Sequence, residues 1–383
     1  MRVAILTTDE RESIPGCRDP QPHIGIAPTA LLQGFDCLSG AEVHVVSCLK
    51  EPLPSVKTIA PNIFYHGVAV PRIGWLRTGY QGCIRGVRKK LREIQPDIVH
   101  GQGTERDCAI GAVFSGFPNV VTVHGNMKAI AEIYHARIGS YHWLAGRLES
   151  FTLRRAGGVL CNSAYTEQLV AQRTSRTWRV SNALRMDFFG PLPASRPAAV
   201  PALLNLGVFE PRKQQVELLA MAARLHARGC RFQLQFAGHL TKNDYGAAFE
   251  RGLARAESAG YARYLGNLPP ARLVATMDAA AALVHFPKEE AFGLVVAEAL
   301  ARNLKFFGSA TGGMVDIAQG VDGAELIERQ NFNALEDSIV RWLQTGAPRP
   351  QNAAAVMSGR YHPKVIAARH LEIYREVLGT KAF

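Results

Sequence analysis

Two stretches of this 383-residue chain combine residue types and spacings that suit a phosphorylated ligand. In Leu203-Leu204-Asn205-Leu206-Gly207-Val208-Phe209-Glu210-Pro211-Arg212-Lys213-Gln214 an apolar run ends at Gly207, and Pro211 fits the first position of a helix. Arg212 and Lys213 are therefore expected at a helix N-terminus, where unpaired backbone N–H groups and partial positive charge add to the two cations. That combination suits a diphosphate, whereas two solvated surface cations are the plainer reading of the pair alone. The second stretch is Pro287-Lys288-Glu289-Glu290-Ala291-Phe292-Gly293-Leu294-Val295-Val296-Ala297-Glu298-Ala299. On one continuous helix Glu290 and Glu298 would differ by about 80° and roughly 12 Å of rise, so they cannot grip one atom. A helix that begins near Ala291 instead leaves Glu290 in the preceding turn and Glu298 inside the helix, a spacing for two ends of an extended ligand.

These residues need elements to position them. Short β-branched runs alternate with amphipathic stretches along the whole chain, the pattern of parallel strands joined by helices. Strands are expected at 2–6, 42–47, 97–100, 119–123 and 158–161, and again at 203–207, 232–237, 262–265, 281–286 and 305–308. The clearest helices are expected at 80–94, 143–155 and 363–378. Residues 190–201 hold four prolines, Pro191, Pro193, Pro197 and Pro201, and read as a stiff connector. The expected organisation is an N-terminal Rossmann-like domain over 1–190 and a C-terminal one over 191–362, with the last helix, 363–383, free to pack back on the first. Two doubly wound sheets facing each other bind ligands in the cleft at the carboxyl ends of their strands.

Composition narrows the classes. With 47% hydrophobic residues the chain is not disordered, and its length favours two domains. A formal net charge of +12 points to anionic partners: nucleic acid, a membrane surface or phosphorylated small molecules. The N-terminus lacks the apolar core of a signal peptide and no run reaches about 18 apolar residues, which together suggest a cytoplasmic protein. The seven cysteines are scattered and lack a Cys-x-x-Cys spacing, so they read as reduced thiols without a redox or zinc role. No Gly-x-Gly-x-x-Gly follows the first strand and no Gly-x4-Gly-Lys-Ser/Thr occurs, which argues against dinucleotide oxidoreductases and phosphate-loop hydrolases.

The Glu290 to Glu298 segment resembles the Glu-x7-Glu signature of glycosyltransferase family 4, retaining sugar-nucleotide enzymes of the GT-B fold. Pro287, Phe292-Gly293-Leu294 and Glu298-Ala299 stand where that family has them, and the Gly207 to Lys213 turn resembles its diphosphate site. Gly238-His239-Leu240, Gly266-Asn267-Leu268 and Thr311-Gly312-Gly313 follow in its order. Val123-His124-Gly125, Asn162-Ser163 and Val180-Ser181-Asn182 are weaker anchors in the first half.

The resemblance implies that Glu298 binds the nucleotide ribose, that Glu290 approaches donor-sugar hydroxyls, and that Arg212 and Lys213 neutralise the leaving diphosphate. Backbone N–H groups of Phe292, Gly293, Leu294 and Val295 would add hydrogen bonds. His124 would face the sugar from the N-terminal domain, and Gly25, Gly238, His239 and Leu268 would line the donor site. The expected reaction is retaining transfer from a nucleoside-diphosphate sugar, with UDP favoured, to a hydroxyl of a saccharide or lipid-linked acceptor. No Asp-x-Asp motif occurs, so no metal or other cofactor is expected. The sequence departs from the family at Gly25-Ile26-Ala27-Pro28, where a glycine pair is usual. It departs again at Val208, where an arginine is frequent, and at Lys288, a common serine. A sugar-nucleotide epimerase or other GT-B enzyme is the main alternative, and a basic nucleic-acid or membrane-binding protein a more distant one. The segment Arg72 to Arg92 carries seven basic residues, Arg72, Arg77, Arg85, Arg88, Lys89, Lys90 and Arg92, among apolar ones, and contains no acid. It is a candidate for contact with anionic lipid at the inner face of a membrane, or else a solvated helix face. Aromatic residues are not interleaved with the basic ones, so no nucleic-acid partner is expected.

Overall fold

A computed structural model describes residues 1–14, 16–192 and 199–379. The chain forms two compact units, one of Met1–Arg185 with the chain from His362 onward, the other of Met186–Tyr361. The boundary lies ahead of the proline-rich connector, of which residues 193–198 fall outside the described residues. Gly190 and Pro191, at the start of that connector, are fixed in the second unit. The buried Arg302 guanidinium donates to their carbonyls at 2.8 and 2.7 Å while pairing with Asp278 at 2.7 Å.

The first unit is an eight-stranded sheet. Its strands are β1 (Arg2–Leu6), β2 (Glu42–Leu49), β3 (Thr58–Ala60), β4 (Ile63–Ala69), β5 (Ile98–Gln102), β6 (Asn119–Val123), β7 (Val159–Cys161) and β8 (Thr177–Arg179). They lie in the order β3-β4-β2-β1-β5-β6-β7-β8, and only the β3–β4 pair is antiparallel. The central strands are apolar runs buried on both faces, as Val3 to Leu6 of β1 are, which is what a sheet covered by helices on both sides demands. The strands the sequence did not foretell, β3, β4 and β8, lie towards the edges. In β4 buried and partly exposed residues alternate, so no continuous apolar run marks it. The helices of this unit are α1 (Ile26–Asp36), α2 (Gln81–Ile94), α3 (Asp107–Val113), α4 (Met127–Ile133), α5 (Tyr141–Leu153) and α6 (Ala164–Val170). Ser163 caps α6 by accepting from the Thr166 N–H at 3.1 Å.

The second unit is a six-stranded, fully parallel sheet of β9 (Ala202–Leu206), β10 (Gln233–Ala237), β11 (Ala262–Tyr264), β12 (Ala282–His285), β13 (Lys305–Ser309) and β14 (Ala324–Ile327). Its order is β11-β10-β9-β12-β13-β14. The winding therefore reverses between β9 and β12, and the turns that follow those two strands emerge side by side. Around it lie α7 (Gln215–Ala227), α8 (Asp244–Ser258), α9 (Pro270–Ala279), α10 (Leu294–Ala301), α11 (Met314–Ala318), α12 (Phe332–Gln344) and α13 (Ala353–Tyr361). Phe209, Phe236, Phe249, Phe286 and Phe307 fill its core. The chain then returns to the first unit through α14 (Pro363–Leu378), whose buried Ile366, Ala367, Leu371 and Tyr374 join the core that α1 also fills. Among the described residues no helix is long and apolar enough to cross a membrane.

Candidate functional site

The two turns at the reversal carry most of the chemistry of the second unit. After β9 the chain runs through Gly207 and Val208, and the buried Phe209 pins the loop by donating its N–H to His239 O at 3.0 Å. Pro211–Lys213 then forms a single 3-10 turn, and Gln214 takes a left-handed conformation (φ 57°) before α7 starts at Gln215. Arg212 and Lys213 thus precede the long helix rather than opening it. The reason is local: Pro211 starts a helical turn, and the positive φ of Gln214 ends it three residues later. After β12 a second turn holds Glu289 and Glu290, and α10 begins at Leu294, so Glu290 lies before the helix and Glu298 within it. A third turn closes over Glu290: Gly313 N–H donates to Glu290 O at 3.1 Å. A Cβ on Gly312 would lie 1.7 Å from that carbonyl, so only glycine admits this approach.

The charges in these turns are paired. Lys213 Nζ donates to Glu290 Oε2, which also accepts from His285 Nε2 at 3.0 Å. Burial alone would raise the Glu290 carboxyl, but Lys213, His285 and Arg212 outweigh it and hold the group well below the usual carboxylate range. Burial lowers the His285 imidazole despite Glu290, so a neutral ring donates this hydrogen bond. Arg212 donates through Nη1 to Glu289 O (2.9 Å) and Glu289 Oε2 (3.1 Å), and through Nη2 to Glu210 Oε1 (2.6 Å). Burial pushes the Glu289 carboxyl up against the pull of Arg212. The cluster is a preformed, nearly dry set of opposite charges in which each cation can exchange a carboxylate oxygen for a phosphate oxygen.

Other expected donor-site residues belong to the same unit. Glu298 is buried in the second turn of α10. Phe292 and Gly293 (φ 100°) lead into the helix, where the N–H groups of Leu294 and Val295 have no partner inside it. Gly238 and the exposed His239 follow β10, Gly238 O accepting from Tyr264 Oη at 2.7 Å, and the half-buried Leu268 follows β11.

Gly25 and His124 belong to the first unit. Gly25 caps the start of α1. His124 follows β6 and its Nε2–H donates to Gln102 Oε1 at 2.8 Å, while Gln102 Nε2 reaches His100 Nε2 at 3.1 Å. His100 also meets Thr122 Oγ1 and Tyr374 Oη, both at 2.6 Å. Burial lowers His124 to about 4 against an opposing interaction with the Asn182 side chain, so it is neutral, and Nδ1 makes no hydrogen bond of good geometry among the described residues. With Nε2 already donating, Nδ1 is an acceptor. Beside it, Glu105 Oε1 accepts from Gly125 N–H at 2.9 Å, and burial above all pushes its carboxyl up to about 7.

Sequence reasoning passed over Glu105, Glu210, His285 and Glu289. His285 had a usable signal, a histidine ending an apolar strand next to the reversal; for the acids nothing but proximity in the fold singles them out. The cysteines were read as thiols without a zinc role, and Asp107 was passed over; the ligand atoms of Cys48, Cys83 and Asp107 all lie within 4.8 Å of one another, the one such group among the described residues that could take a metal. Hydrogen bonding to Cys83 and burial push the Cys48 thiol well up, so a metal would have to displace protons there.

Comparison with known proteins agrees with this architecture. Residues 37–183 match the model of Glycosyltransferase Family 4, and residues 195–356 that of Glycosyl transferases group 1. The fold is similar to sucrose-phosphate synthase from Thermosynechococcus elongatus (TM-score 0.77, 19% identity, 99% of each chain covered). It is also similar to Anabaena HepE in complex with UDP and glucose (TM-score 0.72, 17% identity, 98% of this chain and 100% of that one). A third similar structure is the lipopolysaccharide outer core galactosyltransferase WaaB in its apo form (TM-score 0.68, 15% identity, 98% and 100%). No curated protein sequence matches the chain significantly.

Proposed function

Since the chain is a glycosyltransferase of the GT-B fold, with a family 4 segment followed by a group 1 segment, we propose that it moves a sugar from a UDP-sugar to a hydroxyl of a saccharide or lipid-linked acceptor, with retention at the anomeric carbon. The observation that carries this reading is the Arg212–Glu289 and Lys213–Glu290–His285 cluster at the reversal of the second sheet. In the reaction the bond from the anomeric carbon to the diphosphate breaks, its electron pair leaving with the phosphate. The acceptor oxygen bonds to that carbon, and its proton passes to the departing phosphate. The main demand is stabilisation of negative charge on the diphosphate, which Lys213 and Arg212 meet by charge-assisted hydrogen bonds and the N–H groups at the start of α10 assist. No metal is needed for that role. Glu290, ionised, accepts hydrogen bonds from donor-sugar hydroxyls, and Glu298 from the ribose. His124, with its Nδ1 lone pair, accepts one from a sugar hydroxyl.

The anionic membrane surface remains a proposed partner. On α2, Arg85, Arg88, Lys89 and Arg92 are exposed opposite a buried stripe of Cys83, Ile84, Val87, Leu91 and Ile94, and Ile73 just before it is 81% exposed. Flotation with anionic vesicles should recover the protein, and charge reversal at Arg88, Lys89 and Lys90 should abolish recovery.

The direct test of the activity is to incubate the protein with UDP-glucose or UDP-galactose and a panel of acceptors in EDTA, reading the product by NMR. Acceptor-dependent product with the donor's anomeric configuration is expected. Isomerised UDP-sugar without acceptor would sink the transferase reading, and activity that returns only with a divalent metal would sink metal independence.

A further inference from the structure

Between α4 and α5 of the first unit lies an open cavity of about 850 Å³ that the donor chemistry does not use. Three permanent cations line it, Lys128, Arg147 and Arg154, with His135 beside them; the single acid is Glu132, which sits 4.0 Å from Lys128. Trp143 and Phe151 supply its aromatic surface, and the Arg147 guanidinium lies 5.0 Å over the Trp143 ring. The cavity is thus apolar with cations around it, and positive in balance.

Its walls are held rigidly. A Cβ on Gly146 would sit 3.2 Å from Lys128 Cα, so α4 and α5 touch backbone to backbone there. The buried Glu149 carboxylate fixes that crossing by accepting from the Met127 and Lys128 N–H groups at 2.9 and 3.3 Å and pairing with Arg173 at 2.7 Å. The α4 wall begins close to His124 in the chain, three residues after it. The neighbourhood also stays uncovered: of the thirteen large hydrophobic residues exposed among the described residues, Ile133, Ile138, Tyr141 and Phe151 fall within this one helix pair and its loop. Such clustering marks a binding surface, whereas isolated exposed apolar residues need no explanation.

We propose that this groove binds the acceptor as an anionic amphiphile, an apolar chain that carries a phosphate, with the chain on the Trp143–Phe151 side and the phosphate among Lys128, Arg147 and Arg154. This rests on the glycosyltransferase reading and names the acceptor class for it. Arginine forks match phosphate oxygens in pairs, and the apolar surface accounts for the remainder of the ligand. A soluble sugar phosphate shares the phosphate chemistry but leaves the aromatic half without a role.

The test uses the full chain and Trp143 fluorescence, with Trp143→Phe to assign the signal. Farnesyl phosphate below its micelle concentration, farnesol and glucose 6-phosphate are titrated in parallel. Farnesyl phosphate should bind at least tenfold tighter than either of the others, and Arg147→Glu with Arg154→Glu should weaken it at least tenfold. Equal binding of farnesol would overturn the phosphate half of the proposal, and equal binding of glucose 6-phosphate the apolar half. Unchanged affinity in the double variant would remove the groove as the site. The UDP thermal shift, measured on the same samples, reports the donor reading separately: it should persist in the double variant, and its absence from the wild type would count against the transferase assignment instead.

Discussion

The turns beside the reversal of the second sheet and the strands β5 and β6 of the first carry opposite chemistry. In the second unit the turns after β9 and β12 hold Arg212, Lys213, Glu289 and Glu290 as ion pairs in nearly dry surroundings. In the first, β5, β6 and the turn after β6, together with Tyr374 of α14, supply a chain of neutral hydrogen-bonding groups, His124, Gln102, His100, Thr122 and Tyr374. Permanent charge in a low-dielectric pocket acts strongly on a diphosphate, while neutral donors and acceptors recognise hydroxyls without the desolvation cost of a buried ion. On this reading the second unit manages the leaving group and, through Glu290, part of the sugar, while the first unit adds neutral hydrogen bonds to sugar hydroxyls.

The largest effect that would break this contrast is on Lys213. Lys213→Ala should lower kcat by roughly 10²–10³-fold, the usual cost of removing one preorganised group that stabilises transition-state charge. Lys213→Arg, which restores the charge, should recover part of it. Steady-state rates with a UDP-sugar donor decide the matter. An alanine variant within a few-fold of wild type would mean that the diphosphate is handled elsewhere.

Acid should separate the units next. His124 and His370 fall from 6.5 to about 4 on folding because burial disfavours their charged forms. The unfolded chain therefore binds more protons between pH 6.5 and 4. The contribution of these two rings to the stability of the first unit is full above 6.5, falls through that window and levels off below it, by about 3 kcal/mol for each ring. Glu105 works the other way, since its folded value of about 7 exceeds 4.5 and favours the folded state as pH drops, so it offsets one ring. In the second unit the depressed Glu290 contributes fully above 4.5 and is lost only below it, while His285, lowered by burial, adds a smaller sensitivity of the first kind. Hydrogen exchange at pH 7 and pH 4.5 should show protection lost first from β1, β5 and β6. Loss that begins in β9 and β12 would contradict the assignment.

How much of this was legible in the sequence follows from the range of each interaction. Buried central strands announce themselves as apolar runs, so β1, β6, β9 and β13 were readable; β14, with three of its four residues partly exposed, was not. The cations and glutamates were readable as types and spacing. Their element was only half so, because nothing in Lys213-Gln214-Gln215 reveals the positive φ that separates the 3-10 turn from α7. The pairings were hidden. Arg212 meets Glu289 across 77 residues and His100 meets Tyr374 across 274, and no local pattern encodes contacts of that range.

The smallest effect tests the neutral side of the contrast. If His124 contributes one hydrogen bond between its Nδ1 lone pair and a sugar hydroxyl, His124→Ala should cost about 1 kcal/mol, or roughly fivefold in kcat/KM, far less than Lys213→Ala. The pH dependence is the sharper readout. A ring lowered to about 4 is already neutral across the assay range, so the ratio of wild-type to variant rates should stay flat from pH 6 to 8. A catalytic imidazole titrating near its ordinary value would make that ratio climb or fall through the same interval. A sloping ratio would place charge on His124 and dissolve the division of labour between the two sheets, whereas a flat one would leave the first unit as the side that recognises hydroxyls by neutral hydrogen bonds.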